Sequence, residues 1–151
     1  MSKIPTTLAL LHQLGADHRF TTTFAADGPV HDGTLDGDLL VESDGDPYFV
    51  DENALLVAAR LNELGLRRVT GTVRVRGTLI FDWQPDNVAG RLRQVLSGVA
   101  PPDAWQRVRA LAAAPAALPA LEFDADAAAP EPPPAAAATA RPLLIHRSQP
   151  L

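Results

Sequence analysis

The chain has 151 residues, a formal net charge of -5 and a hydrophobic fraction of 46%, which is sufficient for one domain with a single core. The acidic balance argues against nucleic acid or an anionic membrane as a partner, and no run approaches the roughly 20 apolar residues of a membrane-spanning helix. Because the sequence contains no cysteine, disulfide bonds and thiol chemistry are excluded.

The first predicted elements are a helix and two strands. Residues 5–14 place leucines on one face and are followed by Gly15, which predicts a short helix. Phenylalanine and threonine alternate over residues 19–25, which predicts a strand, and residues 34–41 predict the next one. The Asp-Gly-Asp-Pro sequence of residues 44–47 then predicts a loop, because proline ends strand pairing and glycine permits positive φ.

The middle of the chain alternates between helical and strand patterns. A helix capped by its first residue is predicted over Asp51–Leu64. A strand-rich segment follows over Val69–Phe81, in which Gly77 is expected to break or bend the strand. Two further helices, each opened by a proline, are predicted over Pro85–Leu96 and Pro102–Ala113.

The last third of the chain is dominated by two residue types. From Ala112 to Ala140, 21 of 29 residues are alanine or proline. Such a stretch has little to bury and its prolines block helix propagation, so we predict a linker over residues 112–142. The apolar run of residues 143–145 then predicts a short strand with no evident sheet to join, which indicates that the chain is a fragment.

The titratable residues predict neither a metal nor another cofactor. Nine acidic residues lie between Asp27 and Glu52, but they lack the spacing of a calcium-binding loop and are interpreted as turn residues and helix caps. The histidines also lack the spacing of metal ligands; they are His12, His18, His31 and His146.

Lys3 is distinguished because it is the only lysine among the thirteen cationic residues. A lysine can lose its proton when it is desolvated and then act as a base, whereas arginine stays charged. From the residue type alone, a lysine near a chain end is more often simply solvated than functional.

Several separated segments of the chain share their residues and their order with one known family. They are Lys3–Pro29, Gly33–Leu39, the loop at 44–47 and Leu61–Gly71, together with Leu143–Leu151 near the end. On these residues the chain resembles the penicillin-binding D-alanyl-D-alanine carboxypeptidases of the DacB type, which are serine peptidases. The segment Leu143–Leu151 resembles the stretch that leads into the second catalytic motif of that family.

The resemblance implies acyl transfer, with a serine nucleophile and a lysine one helical turn later as its base. It maps this lysine onto Lys3 and the serine onto the position before Met1. None of the four serines begins a Ser-x-x-Lys or Ser-x-Asn motif, and Lys3 is not followed by Thr-Gly. Lys3 is therefore the single predicted catalytic residue, and the chain by itself is expected to be inactive.

The resemblance also implies an α+β fold, in which part of a transpeptidase-like domain is followed by an inserted β-rich domain. The predicted parts are a transpeptidase-like piece (1–27), an inserted α+β domain (28–111), the linker (112–142) and a return strand (143–151). The implied function is that of a carboxypeptidase or endopeptidase that cleaves peptidoglycan peptides and is periplasmic or exported.

Two further expectations concern the signal peptide and an alternative function. The apolar N-terminus is interrupted by His12 and Gln13 and is followed by no cleavage site, so no signal peptide is predicted in this chain. The alternative function is a non-catalytic module that binds cell-wall polymer or a partner protein.

Overall fold

The computed structural model describes residues 12–13, 15, 17–111, 117–124 and 140–148, and it shows a mixed α and β fold, as the sequence predicted. In this part of the chain the strands are β1 (Thr21–Asp27), β2 (Val30–His31), β3 (Thr34–Leu35), β4 (Asp38–Asp44), β5 (Arg68–Val69), β6 (Val73–Thr78), β7 (Ile80–Phe81), β8 (Gln84–Pro85), β9 (Glu122–Phe123) and β10 (Arg141–Arg147).

Three helices contribute to the core, and the first of them packs against both others and against β10. They are α1 (Asp51–Glu63), α2 (Gly90–Leu96) and α3 (Pro102–Leu111). His12 and Gln13 are also helical, whereas the rest of the helix predicted over residues 5–14 lies outside the described residues. No helix in the described ranges combines the length and apolar character needed to cross a membrane.

The main sheet has the strand order β10-β1-β4-β6. β1 is antiparallel to both of its neighbours, and β4 is parallel to β6. The register places Phe24 opposite Val41 and Leu144, and it places Val41 opposite Val75. Because side chains alternate along a strand, these apolar residues share the face that packs against the helices.

The aromatic centre of the core connects this sheet to the loop before α1. Phe49 is fully buried, with its ring centroid 6.3 Å from that of Phe24 and 5.9 Å from that of Phe81. Such tilted pairs at these separations are favourable beyond the apolar area that they bury. The Asp-Gly-Asp-Pro loop is therefore continuous with a residue that anchors the core.

The linker prediction is wrong for residues 117–124. β9 pairs in parallel with β5 in a smaller sheet of order β2-β3-β5-β9, and Leu121 is 2% exposed. The reason is local composition, since Leu121 and Phe123 have large apolar side chains that can be buried, whereas the surrounding alanines and prolines have small ones. Residues 125–139, also assigned to the linker, lie outside the described residues.

The strand predicted at residues 143–145 has a sheet to join, which corrects the expectation that it lacks one. It is part of β10, which pairs antiparallel with β1 from Thr21–Arg147 to Ala26–Arg141. β1, which ends at the predicted boundary between residues 27 and 28, lies beside β4 in the same sheet. The lone-strand argument for a fragment therefore does not hold.

Helix α1 matches its predicted span, but Asp51 is not its cap. The cap residue is Val50, whose N–H donates to the Asn53 side chain at 3.0 Å. Asp51 is instead buried and forms an ion pair with Arg91 of α2 at 3.1 Å. Burial raises the pKa of Asp51, and the Arg91 guanidinium opposes that shift.

Candidate functional site

Lys3, the predicted catalytic residue, lies outside the described residues. The candidate site therefore consists of residues at the edge of the main sheet where β1, its first strand, begins. β1 begins and β10 ends at the same edge of the main sheet, where Thr21 lies opposite Arg147. The segments that enter β1 and leave β10 are therefore side by side, although they are far apart in sequence.

Arg19, Phe20 and Ser148 join these two segments and are called here the strand clamp. The Phe20 N–H donates to the Ser148 hydroxyl at 2.9 Å, and the Ser148 N–H donates to the Phe20 carbonyl at 3.0 Å. The Arg19 guanidinium donates to the Ser148 carbonyl at 3.2 Å. Because Ser148 is buried, these bonds are partly shielded from water, and they hold the two segments together.

A second buried serine, Ser43, lies at the end of β4 beside the clamp. Its hydroxyl accepts from the Thr22 hydroxyl and from the Gly45 N–H, both at 3.3 Å, and Asp44 accepts from the Thr21 N–H at 2.9 Å. In the described part of the chain, neither Ser43 nor Ser148 has a histidine bonded to its hydroxyl. These serines hold strand ends together and lack the adjacent base of an activated nucleophile.

The Asp-Gly-Asp-Pro loop contributes a buried carboxylate to the same edge. Asp46 is 1% exposed, accepts from the Tyr48 N–H at 2.9 Å, and lies 4.0 Å from the Nε2 of His146 on β10. The His146 ring packs edge-on against Phe49, with centroids 5.1 Å apart. Burial lowers the pKa of His146, and the Asp46 charge only partly opposes this shift.

An open polar cleft of about 440 Å³ adjoins the strand clamp. The ion pair between Arg76 and Glu42, at 2.9 Å, lies in its wall. No group of three histidine, aspartate or glutamate side chains in the described residues could hold a metal ion. The edge therefore contains positioning and anchoring groups, and in the described residues it contains no pair of nucleophile and base.

The strand clamp and the contact between Asp46 and His146 were not predicted from the sequence. The clamp residues Phe20 and Ser148 are 128 positions apart, and no local pattern links them. The only signal was the resemblance of both flanking segments to one family, which gave their order but not their contact.

Comparison with protein families gives one match. The model of the D-Ala-D-Ala carboxypeptidase 3 (S13) family matches residues 1–90. That range contains Lys3, the Asp-Gly-Asp-Pro loop, α1 and the strands β1 to β8, so it covers more than half of the chain.

Two solved structures of one endopeptidase share the fold. The predatory endopeptidase Bd3459 from Bdellovibrio bacteriovorus is 19% identical, with a TM-score of 0.72, over 99% of this chain and 40% of that protein. Its penicillin G-acylated form, in complex with the immunity protein Bd3460, is 20% identical over 81% of this chain and 32% of that protein, with a TM-score of 0.63. Penicillin binding protein 4 (dacB) from Haemophilus influenzae is 27% identical over 48% of this chain and 17% of that protein, with a TM-score of 0.43. The chain thus spans about two fifths of the Bdellovibrio endopeptidase, at most.

Proposed function

Since the chain belongs to the D-Ala-D-Ala carboxypeptidase 3 (S13) family, we propose that it forms part of a DacB-type serine peptidase that cleaves peptidoglycan stem peptides. The observation that carries the proposal is the family match over residues 1–90, which includes Lys3. Because this substrate lies outside the cytoplasmic membrane, the complete enzyme would be periplasmic or exported.

We assign the described sheet and helices to the non-catalytic domain of that enzyme. Support comes from the strand clamp, which brings the segment before β1 and the segment after β10 to one edge. A domain inserted into another needs its two ends close together at its surface. The inserted domain would therefore run from β1 to β10, with the catalytic domain beyond the clamp.

Lys3 is proposed as the base of the acylation step. In the longer protein the serine of the motif would stand one position before Met1, which places it one helical turn from Lys3. The serine oxygen would bond to the carbonyl carbon of the terminal D-Ala-D-Ala linkage while its proton passes to the Lys3 amine. The leaving amine would then take a proton as the peptide bond breaks.

Labelling with a fluorescent penicillin tests this proposal. The 151-residue chain should form no adduct that survives denaturation, and the protein extended at both ends to family length should form one. In the extended protein, Lys3→Ala and Lys3→Arg should each slow labelling by about 10²- to 10⁴-fold, because alanine has no basic group and arginine stays protonated, so neither can accept the serine proton. Labelling of Lys3→Arg at the parental rate would contradict the role of Lys3.

A non-catalytic module that binds cell-wall polymer is the second candidate. It is favoured by the single core of the described residues, which contains side chains from the sheet and from all three named helices. Co-sedimentation with purified peptidoglycan distinguishes the two. Binding by the chain, together with an extended protein that takes no penicillin label, would support the module and exclude the enzyme.

A further inference from the structure

The strand clamp joins the two segments of the chain that lie next to the catalytic motifs implied by the family resemblance. The segment before β1 follows Lys3, the lysine of the first motif. The segment after β10 belongs to residues 143–151, which resemble the stretch that leads into the second motif. An acyl-transfer site of this type needs groups from both motifs around one bond of the substrate. A contact between the two segments therefore bears on how the motifs are aligned.

Ser148 is bonded to the segment before β1 through all of its polar groups. Its hydroxyl accepts from the Phe20 N–H, its own N–H donates to the Phe20 carbonyl, and its carbonyl accepts from Arg19. Pairing of two strands uses only the N–H and the carbonyl of a residue. The hydroxyl and the Arg19 guanidinium are thus additions to the strand pairing, and they strengthen the connection at the point where the strands end.

The other side of the clamp is tied to a helical turn. His12 and Gln13 are helical, and Gly15 follows with a φ of +85°. The His18 N–H donates to the Gly15 carbonyl at 3.3 Å, which closes a turn, and the His18 ring packs edge-on against that of Phe20, with centroids 4.8 Å apart. A backbone turn and a ring contact therefore connect the clamp to the region where the sequence predicts the helix that follows Lys3.

We propose that Arg19 and Ser148 are positioning residues for the acylation step. They hold the segment that follows Lys3 against the segment that leads to the second motif, and they act through this alignment rather than by contact with the substrate. Reacting groups must be held close to their productive geometry, and a displacement of about 1 Å can slow a reaction by about 10²-fold. This inference rests on the proposed peptidase function and adds two residues to it.

Single-turnover acylation by a fluorescent penicillin tests the proposal in the protein extended at both ends to family length. A series of penicillin concentrations separates the limiting acylation rate from the half-saturating concentration. Arg19→Ala and Ser148→Ala should each lower the limiting rate by about tenfold to 10²-fold and leave the half-saturating concentration nearly unchanged, because alignment affects the reaction more than binding.

Ser43→Ala is the matched control. Ser43 is also a buried serine, and its hydroxyl also accepts two hydrogen bonds. Its partners, Thr22 and Gly45, belong to the sheet and to the loop after β4, so its bonds do not join the two motif-bearing segments. The Ser43→Ala variant should therefore acylate at the parental limiting rate.

A reversible cross-link separates positioning from folding. Phe20 and Ser148 extend the register of Thr21 and Arg147 by one pair. Opposed residues of an antiparallel pair have Cα atoms about 4.5–5.5 Å apart, which a disulfide can span. The 151 residues contain no cysteine, so Phe20→Cys/Ser148→Cys introduces a single pair into them. The oxidised variant should acylate near the parental limiting rate, and its reduction should slow acylation to the rate of Ser148→Ala.

The outcomes distinguish this inference from the peptidase function itself. Equal limiting rates in Ser148→Ala and Ser43→Ala would overturn the positioning role and leave the peptidase function in place. Equal rates of the oxidised and reduced cross-linked variant, or a change confined to the half-saturating concentration, would do the same. An extended parent that takes no penicillin label would overturn the proposed function, and this inference with it. Circular dichroism and urea unfolding verify that each variant is folded.

Discussion

At the residue scale, His146 shows how one partly buried side chain connects the loop at residues 44–47 to the edge of the sheet. Its ring packs on Phe49, and its Nε2 faces the buried Asp46 carboxylate at 4.0 Å. At any pH above its lowered pKa, the His146 imidazole is mostly uncharged in the folded chain. Protonation would place a cation among apolar groups, with Asp46 as its partial compensation.

The pKa shift of His146 predicts a pH dependence of stability. Below pH 6.5, the usual pKa of histidine, the unfolded chain takes up a proton before the folded chain does. Stability should therefore fall as the pH falls from that value toward the lowered pKa, and His146→Gln should flatten this part of the profile. The matched control is His31→Gln, an exposed histidine of β2. Urea unfolding at a series of pH values measures the effect; a parental slope in His146→Gln would contradict it.

Residue types predicted local structure better than they predicted the site. Lys3 stands out as the only lysine, but its catalytic role was predicted from the resemblance to a known family. The strand clamp involves a backbone N–H and a hydroxyl on segments that only the fold brings together. A hydrogen bond of this kind has no local pattern, so the sequence could not reveal it.

At the element scale, the predicted strands are interrupted where two backbones approach each other. The sequence predicted one strand over residues 34–41, but β3 and β4 are separated at Asp36 and Gly37. Gly37 has a φ of +149°, and a Cβ at this position would lie 2.2 Å from the carbonyl oxygen of Asp27. The close approach of β1 thus accounts for the interruption, and the alternation of residue types along the segment does not predict it.

Gly37→Ala should be strongly destabilising, by about 2–4 kcal/mol, because it adds both an unfavourable φ and a clash with a backbone atom. The matched control is Gly65→Ala just after α1, where φ is +92° but nothing lies within 4 Å of the added Cβ. That variant should lose only about 1–2 kcal/mol, from backbone strain alone. Urea denaturation of both variants measures the difference, and equal losses would show that the close approach contributes nothing.

At the scale of the whole molecule, the main sheet is completed by a strand from the far end of the chain. The sequence predicted the helix at residues 51–64 from periodicity within a short window, and its resemblance to a known family implied the fold class. It did not predict that β10 joins β1, since this pairing depends on contacts more than one hundred positions apart. Nor did it predict β9, whose two residues lie within a stretch rich in alanine and proline.

Deleting β10 tests whether sheet and helices form one cooperative unit. Leu144 lies opposite Phe24, and His146 packs on Phe49, so removal of residues 140–151 uncovers the aromatic centre as well as the edge of β1. We expect the shortened chain to unfold at a clearly lower temperature, and a synthetic peptide of residues 140–148, added in trans, to raise that temperature with its concentration. The same peptide with Leu144→Asp should not, because a carboxylate cannot be buried beside Phe24 without a partner. An unchanged unfolding temperature after the deletion would instead support separate units, with the region at 28–111 stable without its return strand.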